Sequence, residues 1–151
     1  MKRSAGVLIY RRSGPELEVL LVHPGGPYWM RKDAGAWQIP KGVPEADEAL
    51  DDTARREAGE EIGVTLEGPL APLGEIRQAG GKRVTAFAIE RDLDPAAITS
   101  NEFETEWPPK SGKMQRFPEV SAARWLTLAQ ARTVMLPSQL PLLDRLEELL
   151  A

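Results

Sequence analysis

Alternating strands and helices predict an α/β protein, and three observations carry that prediction. Aliphatic, strand-like runs recur at 4–11, 17–22, 70–78 and 83–90. Between the second and third of them lies an acidic segment whose charges follow a helical spacing. A second helical stretch follows residue 127. At 151 residues, with 42% hydrophobic and 28% charged side chains, the chain suits one domain, 1–151, with a substantial core.

Ser4–Arg11 (SAGVLIYR) and Leu17–Val22 (LEVLLV) are expected strands, joined by a hairpin-like turn at Ser13-Gly14-Pro15. Residues 24–36 form a loop rich in proline, glycine and aromatics. Trp37-Gln38-Ile39 is expected as a short strand, and Pro40-Lys41-Gly42 as the turn out of it. Asp47 is the expected N-cap of a helix running to Glu61. Strands follow at Leu70–Gln78 and Arg83–Glu90, separated by Ala79-Gly80-Gly81. Residues 94–119 are expected to be long and irregular. Arg124–Leu126 is the last short strand, Thr127 caps a helix from Leu128 to about Val134, and Pro137 begins the terminal helix. Repeats, linkers and low-complexity tracts are absent.

Composition excludes several chemistries. With no cysteine, disulfides, thiolate zinc sites and cysteine nucleophiles are ruled out. His23 is the one histidine, so no histidine triad can form; it is expected at a pocket edge or in packing. No Gly-x-Ser-x-Gly or P-loop pattern occurs. Lys2-Arg3 precede an apolar run only from Ala5 to Tyr10, too short for a signal peptide, and nothing approaches the ~18 apolar residues of a membrane span. A cytoplasmic protein without membrane contact is expected. The net charge is −4, yet residues 45–61 alone carry −6, leaving +2 for the rest. Acid gathered at one place suits a cation bridging to a phosphorylated ligand. No basic stripe suggests duplex nucleic acid.

The segment Gly42–Val64, GVPEADEALDDTARREAGEEIGV, is the most informative. Glu57, Glu60 and Glu61 stand at i, i+3 and i+4, on one helical face. Like charges at these spacings cost a few tenths of a kcal/mol per pair, about 0.2–0.5. A hard divalent cation, Mg²⁺ or Mn²⁺, turns that cost into attraction for a shared ion. The alternative is an ordinary solvated acidic face.

Gly42, Glu48, Arg56-Glu57, Glu60-Glu61, Gly63 and Val64, at their spacings over 23 positions, closely resemble the signature of the Nudix hydrolases. Ala58 departs from it, standing where the family usually has a bulky aliphatic that packs the helix onto the sheet. The resemblance implies a mixed β-sheet sandwiched between α-helices and hydrolysis of a pyrophosphate bond. It also implies that Glu57, Glu60 and Glu61 hold Mg²⁺ or Mn²⁺, with the backbone carbonyl near Gly42 added. Arg56 is then expected to orient a motif glutamate through its guanidinium fork. Glu48 supports the metal site or the helix end.

Family members often use one further glutamate as base or ligand. Glu119 is the candidate, six residues before Trp125, an arrangement similar to that of the asymmetrical dinucleoside tetraphosphate hydrolases. Glu102, Glu104 and Glu106 compete with it. Arg3-Ser4-Ala5-Gly6 and Trp37-x-x-Pro40-Lys41-Gly42 resemble the same branch. Lys41 is expected to hold a phosphate oxygen, and Tyr28, Trp29 and Trp107 to stack on a base; Trp37 is expected in the structure. The substrate is expected to be a small nucleotide-type molecule, best a dinucleoside polyphosphate. An oxidised nucleoside triphosphate or an ADP-sugar is the alternative within this chemistry, and a non-catalytic nucleotide sensor the alternative outside it.

Overall fold

The computed structural model describes residues 3–151; Lys2 of the basic pair lies outside them. Strand β1 (Arg3–Ser13) turns back at Gly14, whose φ of 61° suits a glycine, into β2 (Glu16–Pro24). The two pair antiparallel, with Ile9 opposite Leu20 and Ser13 opposite Glu16. After β3 (Lys41–Gly42) and helix α1 (Leu50–Ile62) come β4 (Ala71–Gln78) and β5 (Lys82–Glu90). A hairpin follows, β6 (Glu102–Glu106) and β7 (Met114–Pro118). Then come β8 (Val120–Thr127), α2 (Leu128–Val134) and α3 (Pro141–Leu150).

The main sheet runs β4-β5-β1-β2-β8, with β3 added alongside β1. β1 and β5 are parallel while the other pairs are antiparallel, so the sheet is mixed. Period-two alternation divides its side chains between two layers. Ala5, Val7, Ile9, Leu20 and Val22 pack with Ala54, Ala58 and Ile62 of α1. Leu8, Val19 and Leu21 pack the other way, with Ala131, Leu142, Leu143 and Leu146 of α2 and α3. The expected sandwich is therefore present. Ala54 and Ala58 are fully buried, four residues apart on one helical face, so α1 meets the sheet through small side chains. None of the helices among the described residues is long and apolar enough to cross a membrane.

Several expected boundaries are corrected. Asp47 does not cap α1: it sits in a turn with φ 61°, and the helix starts at Leu50 with Ala49 before it. Residues 37–39 make no continuous strand, only isolated bridges from Trp37 to Met135 and from Gln38 to Val22. Lys41–Gly42, expected as a turn, instead pairs with Ala5 and Gly6 of β1. Glycine at position 6 permits this approach, since a Cβ there would lie 2.5 Å from the Pro40 carbonyl oxygen and 2.7 Å from Lys41 Cβ. The stretch 94–119 contains the β6–β7 hairpin, anchored by Phe103 opposite Phe117. The last strand is longer than expected because it extends back to Val120 to pair with β2. Pro137 opens a 3-10 turn, and α3 itself begins at Pro141. At α2 the expectation holds: Thr127 and Gln130 form a reciprocal capping box.

Candidate active site

The acidic face of α1 meets β3 at its middle. Gly42 is required there by contact rather than by backbone angle: a Cβ would lie 2.0 Å from the Glu57 carboxyl carbon. Glu57 is thereby buried against the β3 backbone. One turn on, Glu61 Oε2 accepts the Lys41 backbone N–H at 3.2 Å. Both carboxyls are pushed above the ordinary range. For Glu57 the causes are burial and then Glu60, partly opposed by Arg56. Glu61 rises to about 8, first through burial and then through Glu57, against the Lys41 N–H and ammonium. Burial also lowers the Lys41 ammonium, with Glu61 opposing.

Arg56 is the hub of this surface. Its Nε and Nη2 donate to Glu48 at 2.9 and 3.0 Å, and Nη1 donates to Glu57 at 2.9 Å and to Glu60 at 3.1 Å. Nη2 also reaches the Val43 carbonyl at 2.9 Å. One guanidinium thus ties three carboxylates to the loop that opens the motif. Glu48 further accepts from the Thr53 hydroxyl at 2.8 Å and the Glu45 N–H at 3.1 Å; the Arg56 bonds first, and then these two, hold its carboxyl down at about 2.

The helical spacing alone suggests three glutamates aimed together, and the structure gives them different partners. Glu60 is drawn to Arg56 as an i,i+4 pair, while Glu57 and Glu61 face β3. Among the described residues no three His, Cys, Asp or Glu side chains are disposed as they stand to hold a metal ion. The donor chemistry nevertheless fits one. Glu57 and Glu61 are hard oxygen donors, and the Glu57 charge adds to burial in raising the Glu61 carboxyl's affinity for positive charge.

Glu119 reaches the same place from the far end of the chain. Its N–H donates to the Asn101 carbonyl at 2.8 Å and its carbonyl accepts from Gly25 N–H at 2.9 Å. Asn101 N–H in turn donates to the Glu60 carbonyl at 2.9 Å, so the end of α1 and the start of β8 are stitched together. Glu119 and Glu61 line one cavity of about 210 Å³, with Trp29, Gln38, Ile39 and Pro24 as further walls. Burial and the Glu60 charge raise the Glu119 carboxyl. The competitors sit elsewhere: Glu102 and Glu104 pair with Arg116 on the exposed hairpin, and Glu106 accepts the Lys110 N–H at 2.7 Å.

The three candidate stacking aromatics are divided. Trp29 lines the carboxylate cavity, whereas Tyr28 and Trp107 line a different one. Trp37 is structural, buried with its indole N–H donating to Asp33 at 2.8 Å. His23 packs edge-on against Trp37, its Nδ1 3.0 Å from the Pro24 carbonyl and its Nε2 against the Lys32 carbonyl, which anchors the loop that carries Trp29.

A NUDIX domain profile matches residues 1–146. The chain belongs to the Nudix family. Solved structures share the fold at low identity. The NUDIX domain of Shewanella oneidensis NrtR, complexed with ADP ribose, superposes with a TM-score of 0.71 at 19% identity, over 100% of this chain and 89% of that one. An Ap4A hydrolase from C. elegans, in a binary complex, gives 0.69 at 21% identity, over 99% and 98%. RenU, a Nudix hydrolase from M. smegmatis, gives 0.62 at 22%, over 99% and 85%.

With Gly42, Arg56, Glu57, Glu60 and Glu61 all in the motif's positions, this chain is a Nudix pyrophosphohydrolase. The structure adds to the Nudix motif one residue that the sequence did not suggest. Gln139, fully buried, accepts the Ile39 N–H at 3.0 Å and donates to Gln78 at 3.0 Å, fixing a wall of the cavity. A glutamine before a terminal helix carries no local signal of that role.

Proposed function

We propose that this enzyme hydrolyses a pyrophosphate bond of a nucleoside polyphosphate, best a dinucleoside polyphosphate, in the cytoplasm. The observation that carries the proposal is the shared cavity, which places Glu61 and Glu119 with Trp29, while Lys41 bonds Glu61 through its backbone. Glu57, Glu60, Glu61 and the Gly42 carbonyl would hold Mg²⁺ or Mn²⁺. When bound, such an ion neutralises the phosphates and makes a coordinated water more acidic.

The chain's own groups do the rest. Arg56 fixes Glu57 and, through Glu48, the entry to α1. Glu119, its carboxyl raised above the ordinary range by burial and then by Glu60 and its backbone pinned on both sides, is the base that takes the proton of the attacking water. The Lys41 ammonium binds an oxygen of the phosphate chain as a point charge. Trp29 offers an aromatic wall to the near base.

A panel of nucleotides incubated with Mg²⁺, with products separated by chromatography, tests this. Diadenosine tetraphosphate should give nucleoside triphosphate plus monophosphate, with oxygen from ¹⁸O-water in the monophosphate. ADP-ribose or an oxidised triphosphate turned over tenfold faster than any dinucleotide would refute the substrate assignment. Absence of turnover on every nucleotide would favour a sensor.

A further inference from the structure

Two cavities share the loop after β2. Pro24 and Trp29 line the carboxylate cavity. Pro27, Tyr28, Met30, Arg31 and Lys32 line a second cavity of about 590 Å³, closed by Trp107 from the turn after β6. The hairpin is seated firmly enough to act as a wall. A Cβ on Gly25 would lie 1.7 Å from the Pro118 carbonyl oxygen, and one on Gly26 would lie 2.8 Å from Phe103.

Tyr28 and Trp107 meet edge to face, their ring centroids 5.4 Å apart. They are not core residues: Tyr28 is 60% exposed and Met30 beside it 71%. Large apolar side chains gathered at an open cleft mark a place that something covers. Edge-to-face packing leaves ring surface free for a planar group. Arg31 and Lys32 add two positive charges to the same lining, and Lys32 Nζ stands 5.4 Å from the ring centroid of Trp29, which lines the first cavity. A planar aromatic with an anionic group attached meets both demands, and a nucleotide has that composition.

The geometry points to this second cavity as the binding site for the far nucleotide of the substrate, its base on Tyr28 and Trp107 and its phosphate near Arg31 and Lys32. The inference rests on the nucleoside polyphosphate reading and deepens it, because a ligand that fills both cavities must carry two nucleosides. A single nucleoside polyphosphate fills only the first.

Two measurements separate the inference from its parent. In the first, diadenosine tetraphosphate is compared with adenosine 5′-tetraphosphate, which lacks the second nucleoside. Wild type should favour the dinucleotide. Tyr28→Ala and Trp107→Ala should each cut that preference by about 10- to 100-fold, chiefly through KM, while Trp107→Phe, which keeps a ring face, should retain most of it. An equal loss on both substrates would overturn the site. In the second, adenosine 5′-monophosphate is titrated into wild-type protein in excess chelator while the Trp107 indole N–H resonance is followed. A saturable shift that is abolished by Tyr28→Ala supports the site. A shift confined to the Trp29 indole refutes it, whatever the enzyme cleaves. If the Trp107 shift occurs but neither polyphosphate is turned over, the parent reading fails and the nucleotide cleft stands.

Discussion

Gly42→Ala isolates the contact on which the site is built. The new methyl carbon would sit 2.0 Å from the Glu57 carboxyl carbon and 2.2 and 2.3 Å from its oxygens. Ordinary contact begins at 3.4 Å, so the carboxylate must withdraw by about 1.4 Å to escape overlap. Gly42 is not among the glycines with positive φ, so alanine suits its backbone and the sheet should form as before. The damage therefore falls on Glu57, whose 2.9 Å bond from Arg56 is disturbed as well. Misplacing a catalytic group by ~1 Å costs about 10²-fold, so kcat/KM should fall by at least that much. Weakening one charge-assisted bond costs about 1–3 kcal/mol, a fall in Tm of about 2–12 °C. Initial rates on any nucleotide the wild type cleaves, with thermal melts alongside, check both numbers. On a Glu57→Gln background the same alanine should cost little more, because the group it displaces is already disabled. A single mutant within threefold of wild type, at unchanged Tm, would refute the claim that Gly42 is there to seat Glu57.

Outcomes at three more positions are expected. Glu61→Gln should cut turnover by about two orders of magnitude or more through lost charge stabilisation, and full wild-type activity in excess chelator would refute metal dependence. In chelator, Glu61 should also make stability fall as pH rises: its folded carboxyl lies at about 8, so the folded state holds a proton that the unfolded chain releases near 4. Melts at pH 5 and pH 8 should show that fall in wild type and a smaller one in Glu61→Gln. Glu119→Gln should lower kcat far more than it raises KM, while the same change at Glu102, Glu104 or Glu106 should be mild; a crippling effect at one of those three would move the base to the hairpin. Gly59→Ala should stabilise, since a Cβ at this exposed helical position meets only the Val64 carbonyl at 3.8 Å; denaturant titration should show a gain of about 0.5–1 kcal/mol, and a loss would mean α1 is strained there.

What was legible in the sequence follows from the range of the interactions involved. The strands at 4–11, 17–22 and 83–90 announce themselves because alternation is local, and Thr127 with Gln130 is a cap written in four residues. The motif's spacing likewise gave α1 and Gly63, whose left-handed φ of 69° ends it. Hidden were the events that depend on distant partners. Asp47 resembles an N-cap until Glu48, taken up by Arg56 and Thr53, holds that turn and pushes the helix start to Leu50. Lys41–Gly42 becomes a strand only because Gly6, far back in the chain, leaves room for it. The hairpin at 102–118 is hidden because its alternation lasts only five residues before Trp107-Pro108-Pro109 interrupts it. Spacing to Trp125 singles out Glu119 among its neighbours, whereas its backbone position beside the cavity is held by Asn101 and Gly25.

The acidic helix also explains why an arginine stands beside the glutamates rather than a lysine. Glu48, Glu57 and Glu60 approach Arg56 from three directions, and the Val43 carbonyl adds another acceptor. A guanidinium can serve them together because its five N–H donors point outward in a fixed plane; an ammonium, with three donors on a flexible stem, cannot. Arg56→Lys would therefore keep the charge and lose the arrangement. Glu60, the most exposed of the three, would become free to move, while Glu57, held against Gly42, would keep its seat but not its orientation. Activity should then fall much further than stability, and raising the metal concentration should recover only part of the loss, because the ligands would be present but no longer aimed. Full recovery at saturating metal would show that Arg56 does no more than balance charge.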